Sequence, residues 1–299
     1  MHPLDPPNAV AANAFESVTF VDIAKHSVSG ESPNVDFERG QPQPNEEFIL
    51  TGPICKGRPA PLRRPSELPE PGTLKLQLSL GRKLGSGRVA RVYEATVDYA
   101  NSSPELQQMI LPPLAVKVSR RYDARHLAKE AYYYDEMECL HGSVIPRYYG
   151  FYQTEIPPDL ELRPWKRDSV RSKSKRTPRP TKLSILIMER LGGLMPLGED
   201  LPDDLEDELN SLYSNLCTLG VDHDDIRYYN ILKAPPSDSL LPSLPSPLTQ
   251  RTYEWRLIDF NKACKSNNVQ SCFENYYWTY LHRLLYNLPW NDIWEPWHF

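Results

Sequence analysis

The chain has 299 residues, of which 40% are hydrophobic, so it is long enough to bury one or two sizeable cores. Its formal net charge of −5 argues against a general nucleic-acid-binding protein. The 5 cysteines are scattered and form no CxxC pair, which disfavours a disulfide framework or a zinc site and favours reduced thiols in the cytoplasm or nucleus. The sequence has neither a signal-peptide pattern nor a run of about 18 apolar residues, so no membrane contact is expected.

The N-terminal segment, residues 1–72, is rich in proline and poor in periodic apolar residues. It holds 12 prolines. A composition of this kind buries too little apolar surface to offset the entropy lost on ordering, so we predict a segment that is mostly disordered or draped over the domain. The short apolar stretch at residues 18–21 is the piece that could dock as a strand.

Regular secondary structure is predicted from residue 74 onward. Residues 74–80 and 89–95 alternate apolar and polar side chains, which is the period of a half-buried strand, and the glycine-bearing turn between them predicts a hairpin. A β-branched run over residues 114–118 predicts a third strand, and apolar residues at helical spacing predict a helix over residues 124–140. Two further strands are predicted over residues 147–152 and 184–188.

A proline-rich insertion interrupts this pattern at residues 155–182. It carries 9 basic residues between positions 163 and 182. A basic run of this kind can bind an acidic partner or act as a nuclear-localisation patch. A solvated, flexible loop is the simpler interpretation.

The second half of the chain is predicted to be mostly helical. Leucines four, three and four residues apart predict a helix over residues 205–216 that ends by Gly220. The proline-rich stretch at residues 234–248 is expected to loop out. A strand over residues 256–259 and a helix over residues 271–286 follow. The aromatic residues of the C-terminal tail are expected to pack in a core rather than line a ligand site.

Four short motifs carry polar residues along the chain. Residues 85–92 form a glycine-rich turn, where small residues let backbone N–H groups approach phosphates. Lys117 lies on the third predicted strand, where its ammonium group can neutralise phosphate charge. Residues 223–230 place a histidine, an aspartate and an asparagine at H-x-D-x4-N spacing between a predicted helix and an apolar run. Asp259 follows a predicted buried strand, where a carboxylate can coordinate magnesium.

Each motif has a plainer interpretation when it is taken alone. The glycines can mark an ordinary hairpin turn, Lys117 can be a solvated lysine, and Asp259 can simply end a strand. Residues 223–230 can form an acidic loop around a core histidine, or part of a metal cluster. The cluster residues would be Asp222, His223, Asp224 and Asp225.

The order of the four motifs is hard to meet by accident, and it resembles the protein-kinase family. The resemblance covers roughly residues 76–285 and is strongest to the divergent kinase-like proteins of fungi. It implies an α+β, two-lobed protein-kinase-like fold, with ATP between the lobes and Mg²⁺ as its metal. The β-rich N-lobe would span residues 73–190, the hinge would lie near residues 188–191, and a reduced, mostly helical C-lobe would span residues 191–299.

The resemblance also implies which residues bind the nucleotide. Lys117 would hold the α- and β-phosphates, and Glu130, 13 residues further on, would hold Lys117, with Glu138 as the second choice. The adenine edge would meet the hinge backbone. The remaining expected ATP contacts are Gly85, Gly87, Ala90, Val92, Ala115, Glu189 and Leu191.

The catalytic and metal-binding roles follow from the same resemblance. Asp225 would orient the acceptor hydroxyl and take its proton, and Arg227 would steady the transferring phosphoryl group. Asn230 and Asp259 would bind Mg²⁺. Asp224 stands where regulated protein kinases usually have an arginine, so control by loop phosphorylation is not expected.

Departures from the family pattern leave two functions open. Ala90 replaces the third glycine of the turn, and Asn261 replaces the glycine of the D-F-G motif, where asparagine is suited because it tolerates left-handed backbone angles. Only 40 residues follow Asp259, and no A-P-E motif is present. The chain is interpreted as a phosphotransferase acting on a hydroxyl group of a protein or a small molecule. The alternative is a pseudokinase, which would be a nucleotide-binding or interaction scaffold without catalysis.

Overall fold

The computed structural model describes residues 5–40, 65–120, 123–165, 181–195, 202–236, 239–265 and 278–286. This part of the chain is a mixed α and β structure with few helices and many strands. The chain divides into two compact units. The first unit comprises Met1–Pro42, Leu68–Ala131 and Arg147–Arg190, and the second comprises Gln43–Glu67, Tyr132–Pro146 and Leu191–Phe299. None of the helices within the described ranges is long and apolar enough to cross a membrane.

The first unit is built around a closed barrel of seven strands. Up to residue 190 the elements are β1 (Phe15–Phe20), β2 (Ala24–His26), β3 (Val35–Arg39), β4 (Leu74–Ser86), β5 (Ala90–Val97), β6 (Leu114–Ser119), α1 (Ala124–Glu136), β7 (Tyr148–Ile156), β8 (Leu160–Leu162) and β9 (Thr181–Glu189). The strand order around the barrel is β1, β3, β7, β9, β6, β5, β4. Strand β1 runs parallel to β4, whereas the other barrel pairs are antiparallel. Closure pairs each of these seven described strands with a neighbour on both sides, so the barrel itself has no open edge.

The N-terminal strands differ from the structure predicted for residues 1–72. The segment is predicted to be mostly disordered, whereas β1 and β3 are two of the seven barrel strands. The apolar stretch that could dock as a strand lies largely within β1. Composition misled here because only one of the 12 prolines, Pro33, falls between residues 15 and 40. The strand-forming part is therefore short and almost free of proline, and the average over 72 residues concealed it.

The interior of the barrel explains why β1 is ordered. Its Phe15, Val18 and Phe20 side chains are buried in the same apolar core as the side chains of β4, β6 and β9. The Arg39 guanidinium donates hydrogen bonds to the Phe15 carbonyl oxygen, at 2.9 Å from Nε and 2.7 Å from Nη2. Burial of large apolar side chains and paired backbone groups together offset the entropy of ordering this segment.

Helix α1 is shorter than predicted. The sequence predicts a helix over residues 124–140, but α1 ends at Glu136 and a separate 3-10 turn covers Glu138–Leu140. Gly142, at the predicted end, adopts a positive φ of 72°, which a glycine accommodates without a Cβ clash.

The second unit combines helices with two short strand pairs. Its elements are α2 (Leu205–Thr218), β10 (Val221–Asp222), β11 (Ile231–Lys233), β12 (Trp255–Leu257), β13 (Cys264–Lys265) and α3 (Trp278–Tyr286). Strand β10 pairs antiparallel with β13, and β11 pairs antiparallel with β12. Helix α2 buries the leucines that predicted it. The predicted final helix is present over α3, while residues 271–277 and the tryptophans of the tail lie outside the described residues.

The proline-rich stretch at residues 234–248 does not loop out as predicted. Leu241 and Leu244 are buried, and the Leu244 N–H donates a hydrogen bond to the Gly142 carbonyl oxygen at 2.9 Å. The Ser246 hydroxyl donates to the side-chain oxygen of the buried Asn215. The leucines between the prolines therefore pack as part of the core of the second unit.

The basic insertion falls mostly outside the described residues. Residues 166–180 are among those not described. Arg163, at its start, forms an ion pair with Asp22 at 2.9 Å and donates to the Leu80 carbonyl oxygen at 2.7 Å. This partly exposed arginine therefore links the residue after β8 to β4 and to the segment after β1.

Candidate functional site

Lys117 and Glu130 form a buried ion pair in the first unit. Lys117 lies on β6 and Glu130 lies on α1, and the two charged groups approach to 2.7 Å between Nζ and Oε2 and 2.9 Å between Nζ and Oε1. The side chains are 10% and 1% exposed. Glu138, the second choice for this role, instead accepts a hydrogen bond from the Ser66 hydroxyl at 2.7 Å. The ion pair joins Lys117 to the glutamate that lies 13 residues further along the chain.

The glycine-rich turn is the tip of the hairpin formed by β4 and β5. Gly85 pairs with Val92, and Val92 in turn lies opposite Lys117 in the next strand. A Cβ placed on Gly85 would meet nothing within 4 Å, and one on Gly87 would meet only the Ala90 carbonyl oxygen at 3.9 Å. Neither glycine has a positive φ. The hairpin itself therefore does not require glycine at either position.

Arg120 holds the tip of this hairpin, a contact that the sequence analysis missed. Its Nε donates to the Gly87 carbonyl oxygen at 2.9 Å, and its Nη2 lies 3.3 Å from the Ser86 hydroxyl. The Arg120 N–H also donates to the Val89 carbonyl oxygen at 2.8 Å. Arg120 immediately follows β6, so one strand supplies both the lysine and the residue that fixes the turn.

The end of β9 carries the residues expected to meet the adenine edge. The Glu189 carboxylate is buried and accepts hydrogen bonds from the Arg147 guanidinium at 2.8 Å and the Arg147 N–H at 3.1 Å. The same guanidinium bonds Asp5 at 2.8 Å. The Glu189 N–H donates to the Arg147 carbonyl oxygen, so its side chain and its N–H are both engaged within the barrel. Ala115 is buried in β6, and the chain enters the second unit at Leu191.

The loop at residues 223–230 is held by hydrogen bonds within the second unit. The Asn230 side-chain nitrogen donates to the Asp225 carbonyl oxygen at 2.9 Å, and the Asn230 N–H donates to the Arg227 carbonyl oxygen at 2.9 Å. Asp224 adopts a positive φ of 52°. Its N–H donates to the Asp222 carboxylate at 3.1 Å. The H-x-D-x4-N spacing thus produces a closed loop in which Asp225 and Asn230 lie together.

The Asp225 carboxylate bonds two cations. The Arg227 Nε lies 2.7 Å from Asp225 Oδ1, and the Lys262 Nζ lies 3.0 Å from the same oxygen. The carboxylate is 10% exposed, whereas the two cationic side chains are 41% and 40% exposed. Arg227 was predicted as a site residue, but Lys262 was not, because nothing local in the sequence links it to a loop 37 residues earlier.

An aromatic row supports this loop from the interior. The Phe260 ring lies 4.8 Å from the His223 ring and 5.3 Å from the Tyr134 ring, measured between centroids, and Tyr213 lies 6.0 Å from His223. The His223 Nε2 lies 2.8 Å from the Ile258 carbonyl oxygen. Full burial lowers the pKa of His223, because the interior disfavours the charged imidazolium. His223 is a core residue that ties the loop to the segment around Asp259.

The lowered pKa of His223 has a consequence for stability. The unfolded chain takes up a proton at about pH 6.5, whereas the folded chain resists protonation of His223. The part of the free energy of unfolding that depends on a neutral His223 is therefore fully present above pH 6.5. It falls below pH 6.5, by up to about 1.4 kcal/mol per pH unit. We expect chemical denaturation between pH 7.5 and pH 5.5 to give a steeper loss of stability for the wild type than for His223→Phe. Parallel pH profiles for the two proteins would contradict this assignment.

The segment around Asp259 departs from the prediction made for Asn261. The left-handed residue is Asp259, with φ 67° and ψ 64°. Asn261 lies in the 3-10 turn Phe260–Lys262 and does not have a positive φ. The glycine-like conformation expected at position 261 is therefore taken up two residues earlier. Aspartate adopts this conformation more readily than most non-glycine residues, and residues held in it cluster at functional sites.

The surroundings of Asn230 and Asp259 bear on their expected role as magnesium ligands. The Ile258 N–H donates to the Asn230 carbonyl oxygen at 3.0 Å, which keeps the residue before Asp259 beside Asn230. The Asn230 side chain uses its nitrogen to bond the Asp225 carbonyl oxygen, so its side-chain oxygen points away from that carbonyl group. Within the described ranges, no three His, Cys, Asp or Glu residues form a group that could hold a metal, which disfavours a cluster around His223.

Comparison with known proteins adds little to this geometry. No protein-family model matches the chain, and no curated protein matches it. Among solved structures, the chain is similar to the crystal structure of a kinase domain, with a TM-score of 0.37 and 16% sequence identity over 63% of this chain and 51% of that domain. The chain therefore spans about half the length of that kinase domain. A TM-score this low does not establish a shared fold.

Proposed function

We propose that the chain is an ATP-dependent phosphotransferase of the protein-kinase-like superfamily. The observation that carries this proposal is the buried ion pair between Lys117 and Glu130 beside a glycine hairpin. A buried ion pair is weak evidence for stability, because desolvation of the two charges offsets their attraction. Ligand binding is therefore a better reason for a lysine at this position. Gly85 and Gly87, which the hairpin does not require, are likewise explained by the close approach of a phosphate.

In this proposal the first unit holds the nucleotide. Lys117 neutralises the charge on the α- and β-phosphates, and Glu130 fixes the lysine in the required position. The backbone of the glycine turn covers the phosphates, with Arg120 restraining the turn. The Glu189 N–H is already engaged, so the adenine edge would meet other backbone groups near Glu189 and Leu191.

The second unit would supply the chemistry of the transfer. Asn230 and Asp259 would hold Mg²⁺, which would supply positive charge to neutralise the phosphates. The acceptor oxygen forms a bond to the γ-phosphorus, and the bond between that phosphorus and the β–γ bridging oxygen breaks, with its electron pair leaving on ADP. The hydroxyl proton passes to the Asp225 carboxylate. The acceptor is an alcohol of a protein or of a small molecule, and the basic insertion is a candidate contact for an acidic partner.

A nucleotide-binding scaffold without catalysis is the second candidate. The observation that favours it is the double ion pair of Asp225, since a carboxylate that already bonds Arg227 and Lys262 also suits a purely structural role. Both candidates bind nucleotide through Lys117. They differ in whether Asp225 reacts.

The proposal is tested by thermal melting of the wild type and Asp259→Ala, each with and without ATP and Mg²⁺. A bound ligand stabilises the folded state by about 2.7 kcal/mol at a hundredfold excess over Kd. We expect a metal-dependent rise in Tm for the wild type and its loss in Asp259→Ala. Asp203→Ala, which removes an exposed aspartate of the same unit, is the matched control and should keep the shift.

The outcomes separate the two candidates. A rise in Tm that accompanies formation of ADP in the presence of hydroxyl acceptors supports the phosphotransferase. A rise without phosphoryl transfer to serine- and threonine-containing proteins or to small alcohols supports the scaffold. No change in Tm with ATP and Mg²⁺ contradicts both.

A further inference from the structure

Lys262 occupies an unusual position for a surface lysine. It ends the 3-10 turn Phe260–Lys262, in which the Phe260 ring is fully buried and which directly follows the left-handed residue Asp259. The Ala263 N–H donates to the Phe260 carbonyl oxygen at 3.1 Å and closes this turn. The backbone of Lys262 is therefore fixed from both sides, and its side chain extends to the Asp225 carboxylate at 3.0 Å.

Stability alone does not explain this contact. Lys262 is 40% exposed, and ion pairs with such exposure contribute little to folding because water screens them. The apolar residues of the turn already anchor the segment. The contact does restrict the rotation of the Asp225 side chain. The Asp225 carboxylate is 10% exposed and lies where two segments of the second unit meet.

The two cations bond the same oxygen atom. The Arg227 Nε and the Lys262 Nζ both approach Oδ1 of Asp225, at 2.7 Å and 3.0 Å. The two donors belong to different segments and bond the same oxygen atom. Together they restrain rotation of the Asp225 carboxylate about χ2. A carboxylate restrained in this way can present its second oxygen, Oδ2, to an incoming hydroxyl.

We propose that Lys262 is a positioning residue for phosphoryl transfer, which with Arg227 holds Oδ1 of Asp225 so that Oδ2 accepts the acceptor's proton. This inference rests on the phosphotransferase function proposed above. In the transfer step the hydroxyl proton moves to Oδ2, the acceptor oxygen bonds the γ-phosphorus, and ADP leaves with the electron pair of the broken bond. Lys262 gives up no proton and acts only through Asp225.

The first test compares the kinetics of the full-length wild type, Lys262→Met and Lys262→Arg with ATP, Mg²⁺ and an acceptor that the wild type phosphorylates. Loss of orientation is expected to lower kcat roughly tenfold to a hundredfold. The KM for ATP is expected to stay within about twofold, because the nucleotide contacts are unchanged. Lys262→Arg should recover part of kcat, since it restores a cation. Lys75→Met, which removes the same charge from an exposed position on β4, is the matched control and should leave kcat unchanged.

The second test places Lys262→Met in an Asp225→Asn background. If Lys262 acts only through Asp225, its substitution should cause no additional loss of rate once Asp225 is changed. The double variant should therefore transfer phosphate at the rate of Asp225→Asn alone. Equal, additive losses in both backgrounds would overturn the proposal, as would an unchanged kcat in Lys262→Met with a lowered Tm. An inactive wild type would instead reject the phosphotransferase function itself, and this inference with it.

Discussion

Lys117→Met is expected to lower the free energy of unfolding by about 3–5 kcal/mol, because it leaves the Glu130 carboxylate buried without the cation that now neutralises it. Glu130 is fully buried, so water cannot replace the lost charge. Chemical denaturation of the two proteins at one pH measures this difference. We also expect Lys117→Met to lose the rise in Tm produced by ATP and Mg²⁺.

The double variant Lys117→Met/Glu130→Leu separates the two effects. Replacing both members of a buried pair by apolar side chains is often neutral or stabilising, so most of the lost stability should return. The response to ATP should not return, because the phosphate-binding charge is still missing. If the double variant regains the ATP response together with its stability, Lys117 does not bind phosphate and its role is structural.

Asp225→Asn is expected to lower the rate of phosphoryl transfer by roughly 10²–10⁴-fold, the range typical of a lost general base. Asparagine keeps the size of the side chain but cannot take the hydroxyl proton. The rise in Tm with ATP and Mg²⁺ should persist, because Lys117, Asn230 and Asp259 are unchanged. Steady-state kinetics and thermal melting of the same preparation measure both quantities.

The control for this variant is Asp203→Asn, the same chemical change at an exposed position ahead of α2. Its kinetics should match those of the wild type. An Asp225→Asn protein that retains full activity would show that another group accepts the proton. Equal loss of activity and of ATP binding would show instead that the substitution disrupts the loop held by Asn230.

Local patterns in the sequence predicted the elements around the candidate site. The alternation of residues 74–80 and 89–95 matches β4 and β5, and the β-branched run at residues 114–118 matches β6. The spacing from Lys117 to Glu130 matches an observed ion pair. These features could be predicted because each depends on side chains a few residues apart, or on a strand that is followed by a helix.

Features that depend on contacts between residues far apart in the sequence could not be predicted from local patterns. The strand Phe15–Phe20 has little local signal and is ordered by β3 on one side and by β4 on the other. The proline-rich sequence around Leu241 and Leu244 predicts a loop, whereas both leucines are buried. Lys262 bonds a residue 37 positions away in the sequence, and Arg120 bonds one 33 positions away. Neither a periodic pattern nor a motif predicts such contacts.

The order of the motifs, and most of the helices and strands that carry them, can be predicted from residues that are close together in the sequence. The three-dimensional structure was needed to show that the barrel closes through the N-terminal strands, that Asp259 rather than Asn261 takes the left-handed conformation, and that two cations meet on one oxygen of Asp225. The physical reason is that propensity and periodicity act over a few neighbouring residues. Burial, strand pairing and ion pairing join residues that the chain itself keeps far apart.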